Sequence, residues 1–205
     1  MAEAAVAPAK KGALKRGWWL VHLDESGFSQ RPSVMRTWAP RGQTPIIRLA
    51  YNWKRLSAIG ALAVAPDLSE VRTFQSYQAG SVDSASVIAF LRSLRRHVRA
   101  EVLLTWDRLG AHTSRQTQDW IATQRHWLHI EWLPAYAPEL NPQEYVWSYL
   151  EGTDLANFCP DNLAQLERQA RRGIRRVQRH DDLAFAFLKH SGLYPELYNV
   201  FRETQ

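Results

Sequence analysis

The first sixteen residues are rich in Ala, Lys and Pro and show no usable hydrophobic period, which predicts a basic flexible arm over residues 1–16. From Trp18 to Leu23 the chain turns apolar and β-forming and the run stops on Asp24, the pattern of a buried strand that delivers an acid at its C-terminal tip. Residues 35–39, 46–50, 55–64 and 71–77 also have strand composition. They are separated by residues 40–45 with two prolines and Gly42, by residues 51–54 and by Pro66-Asp67, all of it turn chemistry. The period then changes. Val87, Leu91, Leu94 and Val98 fall on one helical stripe behind the candidate N-caps Asp83 and Ser84, predicting a helix over residues 84–100. A second apolar run, residues 102–106, ends on Asp107. Helical composition follows over residues 113–124 with Thr113 or Ser114 as cap, then a third strand over residues 128–133. A proline-punctuated turn, residues 134–142, leads into a helix over residues 142–150, and two more helices are predicted over residues 160–178 and 181–190.

Antiparallel strands followed by alternating helices and strands predict an α/β fold, a mixed sheet with helices on both faces. In such sheets sites form at the carboxyl ends of strands, where Asp24 and Asp107 are expected. No window approaches the roughly 18 apolar residues of a membrane span, and no apolar stretch resembles a signal peptide, so the expected location is the cytoplasm. One cysteine, Cys159, excludes an internal disulfide, and there is no Cys-x-x-Cys pair for zinc. A zinc module built from His112, His126, His129 and Cys159 lacks standard ligand spacing. The excess of 26 Lys plus Arg over 20 Asp plus Glu, +6 in all, is compatible with a polyanionic partner. The basic residues cluster at Lys10, Lys11, Lys15 and Arg16, at Arg92, Arg95, Arg96 and Arg99, and at Arg168, Arg171, Arg172, Arg175 and Arg176. Each cluster reads equally as a solvated helix face or as a phosphate contact.

Three acids stand out by placement: Asp24 and Asp107 after strands, and Glu144 in the first turn of a helix. Hard oxygen ligands on separate elements suit a pair of divalent cations flanking a scissile phosphate. Each acid also fits a structural role. Asp24 and Asp107 suit turns, and Asn141-Pro142-Gln143-Glu144 suits an N-cap, a proline at N1 and an acid at N3. Glu25, next to Asp24, should point to the opposite face of the strand and act behind the site or structurally. Glu139 and Glu151 are the substitutes for Glu144.

Four segments then narrow the choice: Leu23-Asp24-Glu25-Ser26-Gly27-Phe28, Trp38-Ala39-Pro40-Arg41-Gly42-Gln43, Trp106-Asp107 with His112, and the proline-rich run from Leu133 to Glu144 with Trp147. Together they resemble the catalytic domain of insertion-sequence 630 transposases, relatives of the mariner elements, and the 37 positions between Asp107 and Glu144 agree with that family's spacing. The resemblance implies an RNase-H-like, integrase/transposase-type catalytic domain over residues 17–205. Asp24, Asp107 and Glu144 would be its catalytic, metal-holding triad, with two Mg2+ (or Mn2+) ions per site. His112, Asn141, Arg108 and Glu25 would contact substrate or support the acids. It further implies cleavage at transposon ends, strand transfer into target DNA, double-stranded DNA as partner and a homodimer, with no membrane. The sequence departs from the family at Arg108, where asparagine is common, and at Glu151, where lysine is frequent. Relatives carry an upstream helix-turn-helix, whereas here the first strand lies near residue 18. Two rival readings follow: a truncated or domesticated remnant that binds nucleic acid without cleaving it, and another RNase-H-like enzyme acting on RNA–DNA hybrids.

Overall fold

The computed structural model describes residues 3–48, 54–134 and 137–197. Five strands form one mixed sheet in the order β3-β2-β1-β4-β5: β1 Trp19–Ser29, β2 Arg55–Val64, β3 Val71–Ala79, β4 Val102–Trp106 and β5 Leu128–Trp132. The first three are antiparallel neighbours, whereas β4 and β5 run parallel to β1. Among the described residues seven α-helices flank the sheet: α1 Glu3–Lys15, α2 Ser84–His97, α3 Gly110–Thr113, α4 Arg115–Thr123, α5 Pro142–Gly152, α6 Leu163–Arg179 and α7 Asp181–His190. This mixed sheet between helical layers is the α/β arrangement that the hydrophobic pattern predicts, and it agrees with the RNase-H-like fold that the family resemblance implies.

The two-residue alternation of β1 divides the core. Val21 and Leu23 join Val87, Leu91 and Leu94 of α2 on one face, while Leu20 and Phe28 join α1, α5, α6 and α7 on the other. Side-chain caps fix where the helices begin. Asp83 accepts from the Ser86 N–H ahead of α2, Ser114 from Thr117 ahead of α4, Asn141 from Gln143 ahead of α5 and Asn162 from Gln165 ahead of α6.

Three expectations are corrected. Residues 3–15 form a helix instead of a flexible arm, because Val6, Lys10 and Ala13 make a buried stripe at helical spacing. The Lys10 ammonium is satisfied by the Leu193 carbonyl and by Glu196, at 2.6 Å from the latter. Asp24 lies within β1 and not at its tip, since the β1–β2 pairing continues to Ser29 opposite Arg55. Residues 35–39 form no strand, nor do residues 46–48 of the second predicted one; residues 49 and 50 lie outside the described residues, as do residues 51–53 of the turn and Ala135 and Tyr136 of the proline-rich run. Where a sheet neighbour would be needed, the Asn157 side chain takes up the backbone instead, bonding the Met35 N–H at 2.9 Å and the Met35 carbonyl at 3.0 Å.

Candidate active site

Asp24 is buried on the face of β1 that carries α5, and its Oδ2 accepts a hydrogen bond from Trp147 Nε1 at 3.0 Å. That contact depends on a missing side chain. Gly60 pairs with Asp24 across the sheet, and a Cβ there would lie 2.4 Å from the Trp147 ring. Burial first, then the nearby charges of Glu144, Glu25 and Asp107, push the Asp24 carboxyl up to about 8, against the lowering effect of the Trp147 bond.

Asp107 follows β4 and its side chain is about half exposed, at 55%. Its Oδ1 accepts from the Leu109 N–H and from His112 Nδ1, both at 2.9 Å, so Oδ2 is left without a partner among the described residues. The His112 bond holds Asp107 below the usual carboxylate range despite partial burial. Glu144 sits in the first turn of α5, yet its carboxylate caps nothing. The cap bond belongs to Asn141 Oδ1, and no hydrogen bond or ion pair to the Glu144 carboxylate occurs among the described residues. Burial, Asp107 and Glu151 raise its pKa. The effects of Glu144 and Asp107 on Asp24, and of Asp107 on Glu144, place the three carboxylates in one electrostatic neighbourhood, drawn from three separate elements.

Behind the acids lies His112, whose side chain is fully buried against Trp106, ring centroids 4.1 Å apart. Its Nδ1 meets Asp107 Oδ1 and its Nε2 meets Glu25 Oε1 at 2.8 Å. Burial opposes the imidazolium, but the bonds to Asp107 and Glu25 and the Glu25 charge outweigh it, and the pKa rises to about 9. Glu25 does point to the face opposite Asp24, as strand alternation predicts, and from there it reaches the second acid through His112. Glu25, Asp107 and His112 lie close enough to be ligands of one cation. An imidazolium that donates from both nitrogens has no lone pair for a metal, however, so the group reads as a hydrogen-bonded brace.

Asn141 is buried and fastens the start of α5 to β1, its Nδ2 donating to the Leu23 carbonyl at 3.0 Å. Arg108 lies with its Cζ 5.2 Å over the Trp132 ring, exposed beside Asp107. Glu139 and Glu151 are both exposed, and Glu151 is close enough to act on the charge of Glu144. Among the described residues the histidines and cysteine of the zinc reading do not converge: His129 stacks on Trp18 and pairs with Glu101, and Cys159 lies against the Asn157 carbonyl. Of the basic clusters, Arg171 is paired with Glu167 and Arg176 with Asp154, whereas Arg168, Arg172 and Arg175 remain exposed on α6. What sequence reasoning missed is Trp147 as partner of Asp24, and Gly60 as the space that Trp147 occupies.

The donor set suits divalent cations. Asp24 Oδ1, Asp107 Oδ2 and both oxygens of Glu144 make no hydrogen bond among the described residues, all are hard donors, and the repulsion that neighbouring carboxylates exert on Asp24 and on Glu144 is what a bound cation would relieve.

The sequence pattern of the DDE superfamily endonucleases matches residues 19–166. No curated protein matches the chain. Among solved structures the chain is similar to the Mos1 mariner paired end complex with Mn, at 19% identity and a TM-score of 0.61, covering 96% of this chain and 59% of that one. It is likewise similar to the Mos1 paired end complex with Mg, at 18% identity and a TM-score of 0.58, covering 96% and 60% of the respective chains. The Mos1 strand transfer complex gives 18% identity and a TM-score of 0.56, with 95% and 58% covered. This chain thus spans about three fifths of those Mos1 chains, and at such identities the likeness is one of fold.

Proposed function

The chain belongs to the DDE superfamily endonucleases, and on that premise we propose that it is the catalytic part of a DNA transposase, with Asp24, Asp107 and Glu144 as its metal-holding acids. The reaction is cleavage of phosphodiester bonds at transposon ends, followed by joining of the freed 3′ ends to target DNA. The observation that supports this reading is that a strand, a strand-following loop and a helix start each supply a carboxylate with an oxygen free of hydrogen bonds among the described residues, and that the charges of Glu144 and Asp107 act on Asp24 and that of Asp107 on Glu144.

Bound Mg2+ or Mn2+, two per site, would neutralise charge at the scissile phosphate and acidify the attacking water or hydroxyl. The protein's own residues prepare for this in distinct ways. Trp147 leaves one oxygen of Asp24 for the cation and fixes the other. His112, braced by Glu25, holds Asp107 ionised and oriented. Asn141 fixes the start of α5, and so the approach of Glu144, to the strand that carries Asp24. The exposed arginines of α6 suit contact with a DNA backbone. Two chains on two DNA ends, in the cytoplasm, is the assembly expected by analogy with the paired end complexes of Mos1.

Nicking of supercoiled plasmid in Mg2+ or Mn2+ tests the proposal. Wild type should nick only with metal, and Asp107→Ala and Glu144→Ala should not. DNA binding without nicking under any metal would make the chain a binding remnant, and a preference for RNA–DNA hybrid over duplex would make it a different nuclease.

A further inference from the structure

Asp107 is the most exposed of the three acids, and its two chain neighbours are Trp106 and Arg108. Both rest on one ring, that of Trp132 at the end of β5. The parallel register sets Trp106 opposite Trp132, and the Leu133 N–H bonds the Trp106 carbonyl at 2.9 Å. The two indoles stack with centroids 5.6 Å apart and 29° between their planes, and the Arg108 Cζ lies 5.2 Å over the Trp132 ring. Trp106 in turn stacks on His112, at 4.1 Å and 14°. Planar groups in contact thus lead from the exposed Arg108, through Trp132 and Trp106, to the buried imidazole that holds Asp107.

Stacking fixes what the hydrogen bonds leave loose. The His112 ring serves two carboxylates at once, Asp107 Oδ1 at 2.9 Å from Nδ1 and Glu25 Oε1 at 2.8 Å from Nε2. Hydrogen bonds weaken steeply as a donor turns away from its acceptor, and rotation of the imidazole about its Cβ–Cγ bond turns both nitrogens together. The face of Trp106 opposes that rotation. Trp106 is itself fully buried with its Nε1 unpartnered among the described residues, so packing alone sets the plane of its ring, and Trp132 is the indole stacked on it from β5. Such aromatic pairs contribute beyond the area they bury, and an indole face also attracts a guanidinium, which keeps Arg108 over the outer end of the stack.

We propose that Trp132 is a positioning residue of the active site: through Trp106 it sets the plane of His112, and through His112 it aims the free oxygen of Asp107 at the cation. The inference rests on the proposed function and extends the support of Asp107 from its hydrogen-bonding partner to an aromatic residue on the neighbouring strand.

Trp132 is only partly buried, so it can be replaced without emptying the core. Trp132→Leu removes the aromatic face, Trp132→Phe keeps one, and Trp132→Met takes the place of the leucine variant if that one does not fold. Mn2+ affinity is read from the electron paramagnetic resonance of the free ion, and activity from the Mn2+ concentration that gives half-maximal plasmid nicking. Trp132→Leu should weaken Mn2+ binding about 3–10-fold and raise the half-maximal concentration to match, with a smaller change in the rate at saturating Mn2+. Trp132→Phe should stay within about twofold of wild type. The decisive measurement is the same substitution in His112→Asn, where a residue that acts through His112 has nothing left to align and Trp132→Leu should cost less than about twofold. An equal loss in both backgrounds, an equal loss for Phe and Leu, or wild-type Mn2+ affinity in Trp132→Leu overturns the inference alone. A wild-type protein that neither binds Mn2+ nor nicks overturns the proposed function with it.

Discussion

Adding one methyl group at Gly60 should disturb the site through packing alone. An ideal Cβ there would stand 2.4 Å from Trp147 Cη2, 2.5 Å from Cζ2 and 2.6 Å from Gln143 Nε2. Trp147 is only 3% exposed and Gln143 1%, so neither ring nor amide has solvent to swing into, and α5 has to lift from the sheet. Overpacking of this kind costs about 1–3 kcal/mol. Stretching the Trp147–Asp24 hydrogen bond adds about 1 kcal/mol more. Urea unfolding of Gly60→Ala should therefore show a loss of about 2–4 kcal/mol with an unchanged dependence on denaturant. The cause can be isolated with Trp147→Phe, which removes the ring atoms that the methyl would strike. In that background Gly60→Ala should cost at least about 1 kcal/mol less than in wild type. Costs that add to within about 0.5 kcal/mol, or an unchanged midpoint for Gly60→Ala, would refute the claim that Gly60 exists to admit Trp147.

Other consequences follow from single groups. In the metal-free protein the Asp24 carboxyl, usually near 3.8, is pushed up to about 8, so at this group the folded state holds more protons than the unfolded chain between these values; its contribution to stability should be fully present below about pH 4 and be lost as pH rises toward 8. Below pH 6.5 His112 does not yet contribute its own decline, and urea midpoints at pH 4.5, 5.5 and 6.5 should therefore flatten in Asp24→Asn; an identical slope would remove Asp24 as the cause. His112→Asn should weaken Mn2+ binding by roughly 10–100-fold by releasing Asp107 from its brace, while isothermal titration of an unchanged affinity would show the brace to be idle. Lys10→Ala leaves the Leu193 carbonyl without its donor and should destabilise the chain by about 1–3 kcal/mol in thermal or urea unfolding, whereas a truly loose arm would show no change.

Local pattern made the scaffold readable. Residues 102–106 are apolar except for Thr105 and bounded by polar neighbours, and Asn141-Pro142 opens α5 with a cap and a proline at N1, so Asp107 follows its strand and Glu144 sits in the first turn of its helix as sequence reasoning expects. Asp24 was harder to position. The polar run Asp24-Glu25-Ser26-Gly27 has turn composition, but β1 continues through it because Trp147 bonds Asp24 on one face and His112 bonds Glu25 on the other. Those partners lie 123 and 87 positions away, and no local periodicity reports them. The same holds for α1, where a lysine within the buried stripe disguises the helix until Glu196 and the Leu193 carbonyl are brought beside it. Residues 35–39 fail in the opposite sense, with strand composition but no strand pairing among the described residues, and leave Trp38 fully exposed.

Replacing a carboxylate by a thiolate gives the most direct test that these acids hold a cation. Asp107→Cys puts a softer donor at the most exposed of the three positions, and Mg2+ accepts sulfur poorly whereas Mn2+ tolerates it better. Plasmid nicking by Asp107→Cys should be lost in Mg2+ and partly restored in Mn2+, with Asp107→Ala inactive in both. Nicking by Asp107→Cys in Mg2+ at the wild-type rate, or equal loss with both metals in a folded protein that still binds DNA, would contradict metal ligation by Asp107 and with it the proposed site.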